Sequence, residues 1–219
     1  MKAAESEILE RLGRKEITVE QLCSEVHNDI NLLVIVIDGI SSSKASIRYG
    51  CAKASMILSD EHPDWLYSYM DYFIELLDSK KRILVWNSLA IIANLTRVDE
   101  EKKFDEVYER YFGLLQNDYM VTVANVVGNA SKIASSKPYL VQKITSDLLK
   151  VEDIELTPHL TEECKRVIEQ HTLKAFDSFF QLVENKKNVL SFVQRISNSP
   201  RLTLRDEAQK FLDKWGAHQ

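Results

Sequence analysis

The chain has 219 residues, 45% hydrophobic and 28% charged, with only 6 Gly, 4 Pro and a formal net charge of −5. That length supports a sizeable core, and the scarcity of Gly and Pro favours helix over turn-rich β structure. The acidic balance argues against bulk nucleic-acid binding but leaves room for a local basic patch.

The first stretch, MKAAESEILERLG (1–13), is polar and predicts a helix rather than an apolar leader. Gly13 is its expected C-cap. TVEQ (18–21) has the pattern of a capping box and opens a second helix, LCSEVHND. Residues 1–28 are therefore expected to form an N-terminal capping pair. Cys23 and His27 stand four apart, as two ligands on one helix face would, but no second pair at zinc-like spacing accompanies them. No metal site is predicted. The three cysteines, Cys23, Cys51 and Cys164, are too few and too scattered for a disulfide framework. They predict reduced thiols and a cytoplasmic location.

The longest apolar run, LLVIVI (32–37), lies between Asp29 and Asp38 and is far too short to span a bilayer. No membrane partner is expected. From here the chain repeats. SIRYGCAKASMIL (46–58), LVWNSLAIIANLT (84–96) and TVANVVGNASKIA (122–134) align at successive offsets of 38 residues. Each carries a stripe at i, i+4, i+7 and i+11, one face of a helix. The stripes are Ile47, Cys51, Ala54, Leu58, then Val85, Leu89, Ile92, Thr96, then Val123, Val127, Ala130, Ala134. Two more follow at slightly longer spacing: Cys164, Ile168, His171, Ala175 and Leu204, Ala208, Phe211, Trp215. On this register His171 is a core histidine, and Cys51 and Cys164 are small hydrophobes.

A second helical pattern, at i, i+3, i+4 and i+7, precedes each stripe. It reads Leu32, Ile35, Val36, Gly39, then Met70, Phe73, Ile74, Leu77, then Tyr108, Tyr111, Phe112, Leu115. It returns at Val141, Ile144, Thr145, Leu148 and at Val189, Phe192, Val193, Ile196. The joints SSSK (41–44), DSKK (78–81) and QND (116–118) are suited to turns and caps. The one irregular joint, KVEDIELTPHLTEE (150–163), is expected to be a longer turn.

IRYGCAK, ILVWNSLAIIANL and LRDEAQKFLDKW, with their apolar-then-Arg steps at Ile47-Arg48 and Leu204-Arg205, resemble HEAT or armadillo-type repeats. The whole chain resembles small prokaryotic HEAT-repeat proteins. The resemblance implies an all-α fold, a right-handed α-α superhelix (an ARM/HEAT-like solenoid). About five helical hairpins are expected, at 29–62, 64–98, 104–137, 139–184 and 188–215, behind the cap at 1–28 in a single domain spanning 1–219. For function it implies macromolecular binding. Two enzyme groups share such helices, bilin lyases and some DNA glycosylases, but neither group's functional residues map onto positions here. The sequence also holds no Gly-rich phosphate loop, nucleophile elbow or paired acids. No catalytic residue and no cofactor are predicted.

In solenoids of this class the second helices of successive hairpins line one curved face. Positions beside the stripe on those helices carry seven basic and three acidic residues, a balance of +4 that leaves −9 for the rest of the chain. The predicted partner-binding residues are Arg48, Tyr49, Trp86, Asn87, Asn94, Asn125, Asn129, Arg166 and Arg205. Asparagine amides can donate to and accept from an extended peptide backbone. The arrangement is similar to the asparagine ladder of peptide-binding armadillo proteins. It departs from that pattern because Ala90, not Asn, stands four residues after Trp86. The expected function is non-enzymatic binding of an acidic or extended protein segment along this concave face. Nucleic-acid binding, or DNA-repair chemistry on the same basic face, is the alternative.

Overall fold

The computed structural model of the protein describes residues 2–216, with side chains from residue 7 onward. Packing divides the chain into two compact units, residues 1–101 and 102–219. Among the described residues the only β feature is one isolated bridge between Thr157 and Leu160.

The first unit holds α1 (Lys2–Gly13), α2 (Val19–Asn28), α3 (Leu32–Gly39), α4 (Ala45–Glu61), α5 (Pro63–Leu66), α6 (Met70–Glu75) and α7 (Arg82–Leu95). The capping box at α2 is present: Gln21 N donates to Thr18 Oγ1 (3.2 Å) and Thr18 N to Gln21 Oε1 (2.9 Å), satisfying two otherwise orphaned amides. Gly13 is not a left-handed cap. α1 runs through it, and the positive φ (62°) falls on Lys15 instead. Gly13 and Gly39 serve close approach to α4. A Cβ on Gly13 would lie 3.0 Å from Ile47 Cγ1, and one on Gly39 would lie 2.5 Å from Cys51 Sγ.

α4 is the hub of this unit, packing on α1, α2, α3 and most extensively on α7. Its whole stripe, Ile47, Cys51, Ala54 and Leu58, is buried, as is that of α7. In α3 the inward face is Leu33, Val36, Ile37 and Gly39, one position off the expected set that began at Leu32 and Ile35. A run of six apolar residues has no polar side to fix its rotation, so periodicity gave no contrast there.

The second unit holds α8 (Lys103–Gly113), α9 (Met120–Ser136), α10 (Val141–Leu149), α11 (Glu162–Phe179), α12 (Lys186–Ile196) and α13 (Leu202–Trp215). Its first-helix cores are as the pattern predicts: Tyr108, Tyr111, Phe112, Leu115, then Val141, Ile144, Thr145, Leu148, then Val189, Phe192, Val193, Ile196 are all buried. Buried tyrosine hydroxyls need partners, and Tyr108 donates to Asp147 Oδ2 at 2.8 Å.

The short turns share one device. Ser42, Ser79 and Ser199 hydroxyls, and the Asn117 amide oxygen, each accept the backbone N–H two residues on, at 3.1–3.3 Å. Such local bonds compete with helix continuation and so end one helix before the next begins. The first helices of the middle repeats close on matching 3-10 turns, Leu76–Asp78 and Leu114–Gln116.

The 150–163 joint is ordered. It forms a 3-10 turn at Lys150–Asp153, then the Thr157–Leu160 bridge, and ends at Thr161, whose Oγ1 caps α11. Arg195 holds it through both Glu152 oxygens, with Nε–Oε1 at 2.6 Å. Past this joint the α11 stripe falls one turn later than expected. Ile168, Thr172, Ala175 and Phe179 are buried, while Cys164 is half-buried and His171 is exposed. Thr172 satisfies its buried hydroxyl by donating to Ile168 O (2.9 Å). An imidazole at that depth needs partners for two ring nitrogens.

Candidate interaction surface

On the first unit the second helices α4 and α7 pack side by side and present Arg48, Tyr49, Trp86 and Asn87, all half-exposed. Arg48 is held by its own turn: Nη1 donates to Ser42 O (2.8 Å) and Ser43 O (3.2 Å), and the guanidinium lies 4.6 Å from the Tyr49 ring centroid. This cation–π contact orients the tyrosine. Lys53 is exposed one turn further along α4. Asn87 Nδ2 donates to Ile83 O four residues back (2.8 Å).

Asn94 belongs elsewhere. It is 2% exposed, and its Nδ2 donates to Ser59 Oγ on α4 at 2.9 Å. Arg97 reinforces this clamp, donating from Nε to Asn94 O (3.3 Å) and from Nη2 to Ser59 O (3.1 Å) and Asp60 O. The structure therefore places Asn94 in the α4–α7 interface as a core polar link, not on a surface row. Ser59 and Arg97 lie one 38-residue repeat apart, so the spacing that aligns α4 with α7 also pairs these two residues.

On the second unit Asn125 and Asn129 are half-exposed and turn back on α9, their Nδ2 atoms donating to Val121 O and Asn125 O at 2.8 Å. Arg166 lies in the opening turns of α11, ahead of the stripe, and pairs with Glu163 (3.3 Å) and Glu162 (3.7 Å). Glu163 also binds Arg201, whose Nε donates to Gln170 Oε1 (3.1 Å). The two arginines hold the Glu163 carboxyl below its usual range, with the hydrogen bond from Arg201 foremost. Arg166 is thus part of a network joining α11 to the start of α13. Arg205 is exposed, with Asp206 Oδ1 3.8 Å from its Nε. Lys165 Nζ donates to Glu152 O, and burial raises the pKa of the nearby Glu169.

His27 Nδ1 lies 2.7 Å from Cys23 O, and the Cys23 thiol is buried, donating to Ala54 O (3.8 Å). Burial pushes its pKa up to about 11 and that of Cys51 to about 12, so neither is a thiolate at neutral pH. His171 has its pKa lowered by desolvation and then by Lys174. Among the described residues no group of three or more His, Cys, Asp or Glu is placed to hold a metal ion, and no helix is long and apolar enough to cross a membrane. Sequence reasoning missed Asp177, which accepts from Lys214 Nζ (2.8 Å) and Trp215 Nε1 (2.6 Å) and ties α13 to α11. Its position, one 38-residue repeat before Trp215, was the available signal.

No family model matches the sequence, and no curated protein matches it. Solved structures do resemble it. The designed armadillo repeat protein YIII(Dq)4CqI superposes with a TM-score of 0.58 at 16% identity, covering 94% of this chain and 89% of that one. An engineered protein from the Northeast Structural Genomics Consortium gives 0.58 at 14% identity, covering 99% and 90%. At these identities the likeness shows the fold alone: consecutive helix pairs of the helical-repeat class, similar to engineered armadillo-type proteins.

Proposed function

We propose that the chain is a non-enzymatic interaction module that binds an acidic or extended protein segment on its second-helix surfaces. Helical-repeat folds of this kind are typical of non-catalytic protein–protein interaction modules. The observation that supports the reading best is on the first unit. Tyr49 and Trp86, on adjacent helices α4 and α7, are each partly exposed, and the Arg48 guanidinium lies against the Tyr49 ring. Partly exposed aromatics next to cations are the side chains that carry most binding energy at protein interfaces. Arg48 and Tyr49 are already fixed on each other, which lowers the ordering cost of binding.

The asparagines are a supporting element. Asn87, Asn125 and Asn129 each spend an amide hydrogen on a carbonyl of their own helix, which leaves the side-chain oxygen to accept from a bound backbone. Arg205 extends the basic character on the second unit, and Arg166 contributes what its carboxylate partners leave of its charge.

Affinity capture of partners from lysate, comparing the wild type with Trp86→Ala/Asn87→Ala, tests this reading. Loss of a partner in the double variant supports it, and identical partners with identical affinities contradict it. A generic DNA duplex should bind weakly; steep salt-dependent binding to it would mark the surface as a nucleic-acid face instead.

A further inference from the structure

A different surface, on the first helices of the first unit, carries a second inference. An open depression with a volume of about 630 Å³ lies between the start of α3 and the α5–α6 segment, lined by Ile30, Leu33, Val34, Trp65, Ser68 and Tyr69. Ile30 and Val34 are each 46% exposed, although burying such side chains is favourable by about 1.5–3 kcal/mol apiece. Trp65 is held in place: its ring stacks on His62 at 3.9 Å with an interplanar angle of 9°. The depression therefore sets apolar and aromatic side chains beside the polar groups of Asp29, Asn31 and Ser68.

The two segments that line it are acidic in sequence. Segments 28–43 and 60–79 contain no Lys or Arg and carry eight carboxylates. Along α5–α6 the exposed side chains Asp64, Ser68, Asp71, Glu75 and Asp78 fall at helical spacing on one face, with Ser68 at the pocket edge. Asp38 is exposed on α3, one turn beyond Val34. A field of one sign around an apolar depression steers and selects a partner of the opposite sign. Trp and Tyr rings add attraction for ammonium and guanidinium groups.

We propose that this depression docks a cationic amphipathic segment of a partner protein, apolar side chains seated on Ile30, Val34 and Trp65 and flanking Lys or Arg facing the acidic stripe. The site is separate from the second-helix surface and has the opposite charge preference.

The test uses a fluorescein-labelled, 18-residue Leu/Lys amphipathic helix and its Leu/Glu counterpart, with binding read by anisotropy against the whole chain. The Lys peptide is expected to bind, at least tenfold more weakly at 0.5 M than at 0.05 M salt, and the Glu peptide at least tenfold more weakly than the Lys peptide. Val34→Lys, a change at an exposed helix position, should weaken the Lys peptide tenfold or more. Asp38→Asn/Asp64→Asn should weaken it severalfold and flatten its salt dependence, and Trp86→Ala should leave it unchanged. Folding of each variant is checked by its far-UV circular dichroism. No binding of the Lys peptide, equal binding of both peptides to the Trp86→Ala/Asn87→Ala variant (in which the second-helix surface no longer competes for the Glu peptide), or an affinity untouched by Val34→Lys in a folded variant each overturns the proposal. So does salt-dependent self-association of the chain that Val34→Lys abolishes, because the occupant would then be a second copy.

Discussion

Replacing Asn94 with Ala separates a core polar link from a surface amide. The wild-type side chain bridges α7 to α4 through Ser59 Oγ, whose own proton goes to Met56 O at 2.8 Å. Its loss removes at least the bond to Ser59, worth about 1 kcal/mol, and leaves the buried Ser59 oxygen without that donor at a further cost of about 1–2 kcal/mol. Alanine returns roughly 0.5 kcal/mol of helix propensity, so the net destabilisation should be about 2 kcal/mol. Asn87→Ala loses only a bond from a half-exposed amide to its own helix and gains the same propensity, so it should fall within about 0.5 kcal/mol of zero. Urea unfolding followed by circular dichroism measures both. Ser59→Ala and the double variant complete a cycle whose coupling should exceed about 0.5 kcal/mol. A neutral Asn94→Ala, or an Asn87→Ala that costs as much, would refute the assignment of these two amides to core and surface.

Gly39→Ala should destabilise by about 1–3 kcal/mol, because its Cβ would stand 2.5 Å from Cys51 Sγ, and Cys51→Ala should recover part of that loss; Gly128→Ala, with nothing within 4 Å of the new Cβ, should stabilise by about 0.5–1 kcal/mol in the same unfolding experiment. Burial of Asp177 opposes its ionisation, but hydrogen bonds from Lys214 and Trp215 outweigh that and set its folded pKa below the usual 3.8. A depressed carboxyl pKa contributes stability that is present above the unfolded value and lost as pH falls through the folded one. Asp177→Asn should therefore cost about 1 kcal/mol at pH 7, discounted for partial exposure, and the gap to wild type should close as pH falls below about 4; a gap that is constant from pH 7 to pH 3 contradicts the linkage.

The stripes of α4, α7 and α9 were legible because the same i, i+4, i+7, i+11 pattern recurs at a 38-residue period, which places one helix by its neighbour even where, as in α7, most of the helix is buried. The period fails where the chain adds residues without a matching core. The 150–163 joint folds as its own small element around the Glu152–Arg195 pair, so α11 starts late and Thr172 takes the buried position expected of His171. The surface was less legible for a related reason. Asn87 and Asn94 are seven residues apart, and a position beside the stripe can face solvent or the next helix of the repeat. Which it does depends on the partner helix, here on Ser59 and Arg97, and no single-helix pattern contains that information. Charge was readable only as a sum: the +4 balance does not reveal that Arg166 is tied to Glu162 and Glu163. The run of carboxylates without Lys or Arg at 60–79 was visible from the start, but it gained meaning only beside the depression that Trp65 and Val34 line.

The most direct test of the central claim is hydroxyl-radical footprinting of the chain bound to a partner captured by the wild type. Tyr49 and Trp86 should be protected on binding, and the protection of Tyr49 should be lost in the Trp86→Ala/Asn87→Ala variant. Unchanged reactivity of Tyr49 and Trp86 in the bound state would contradict the claim.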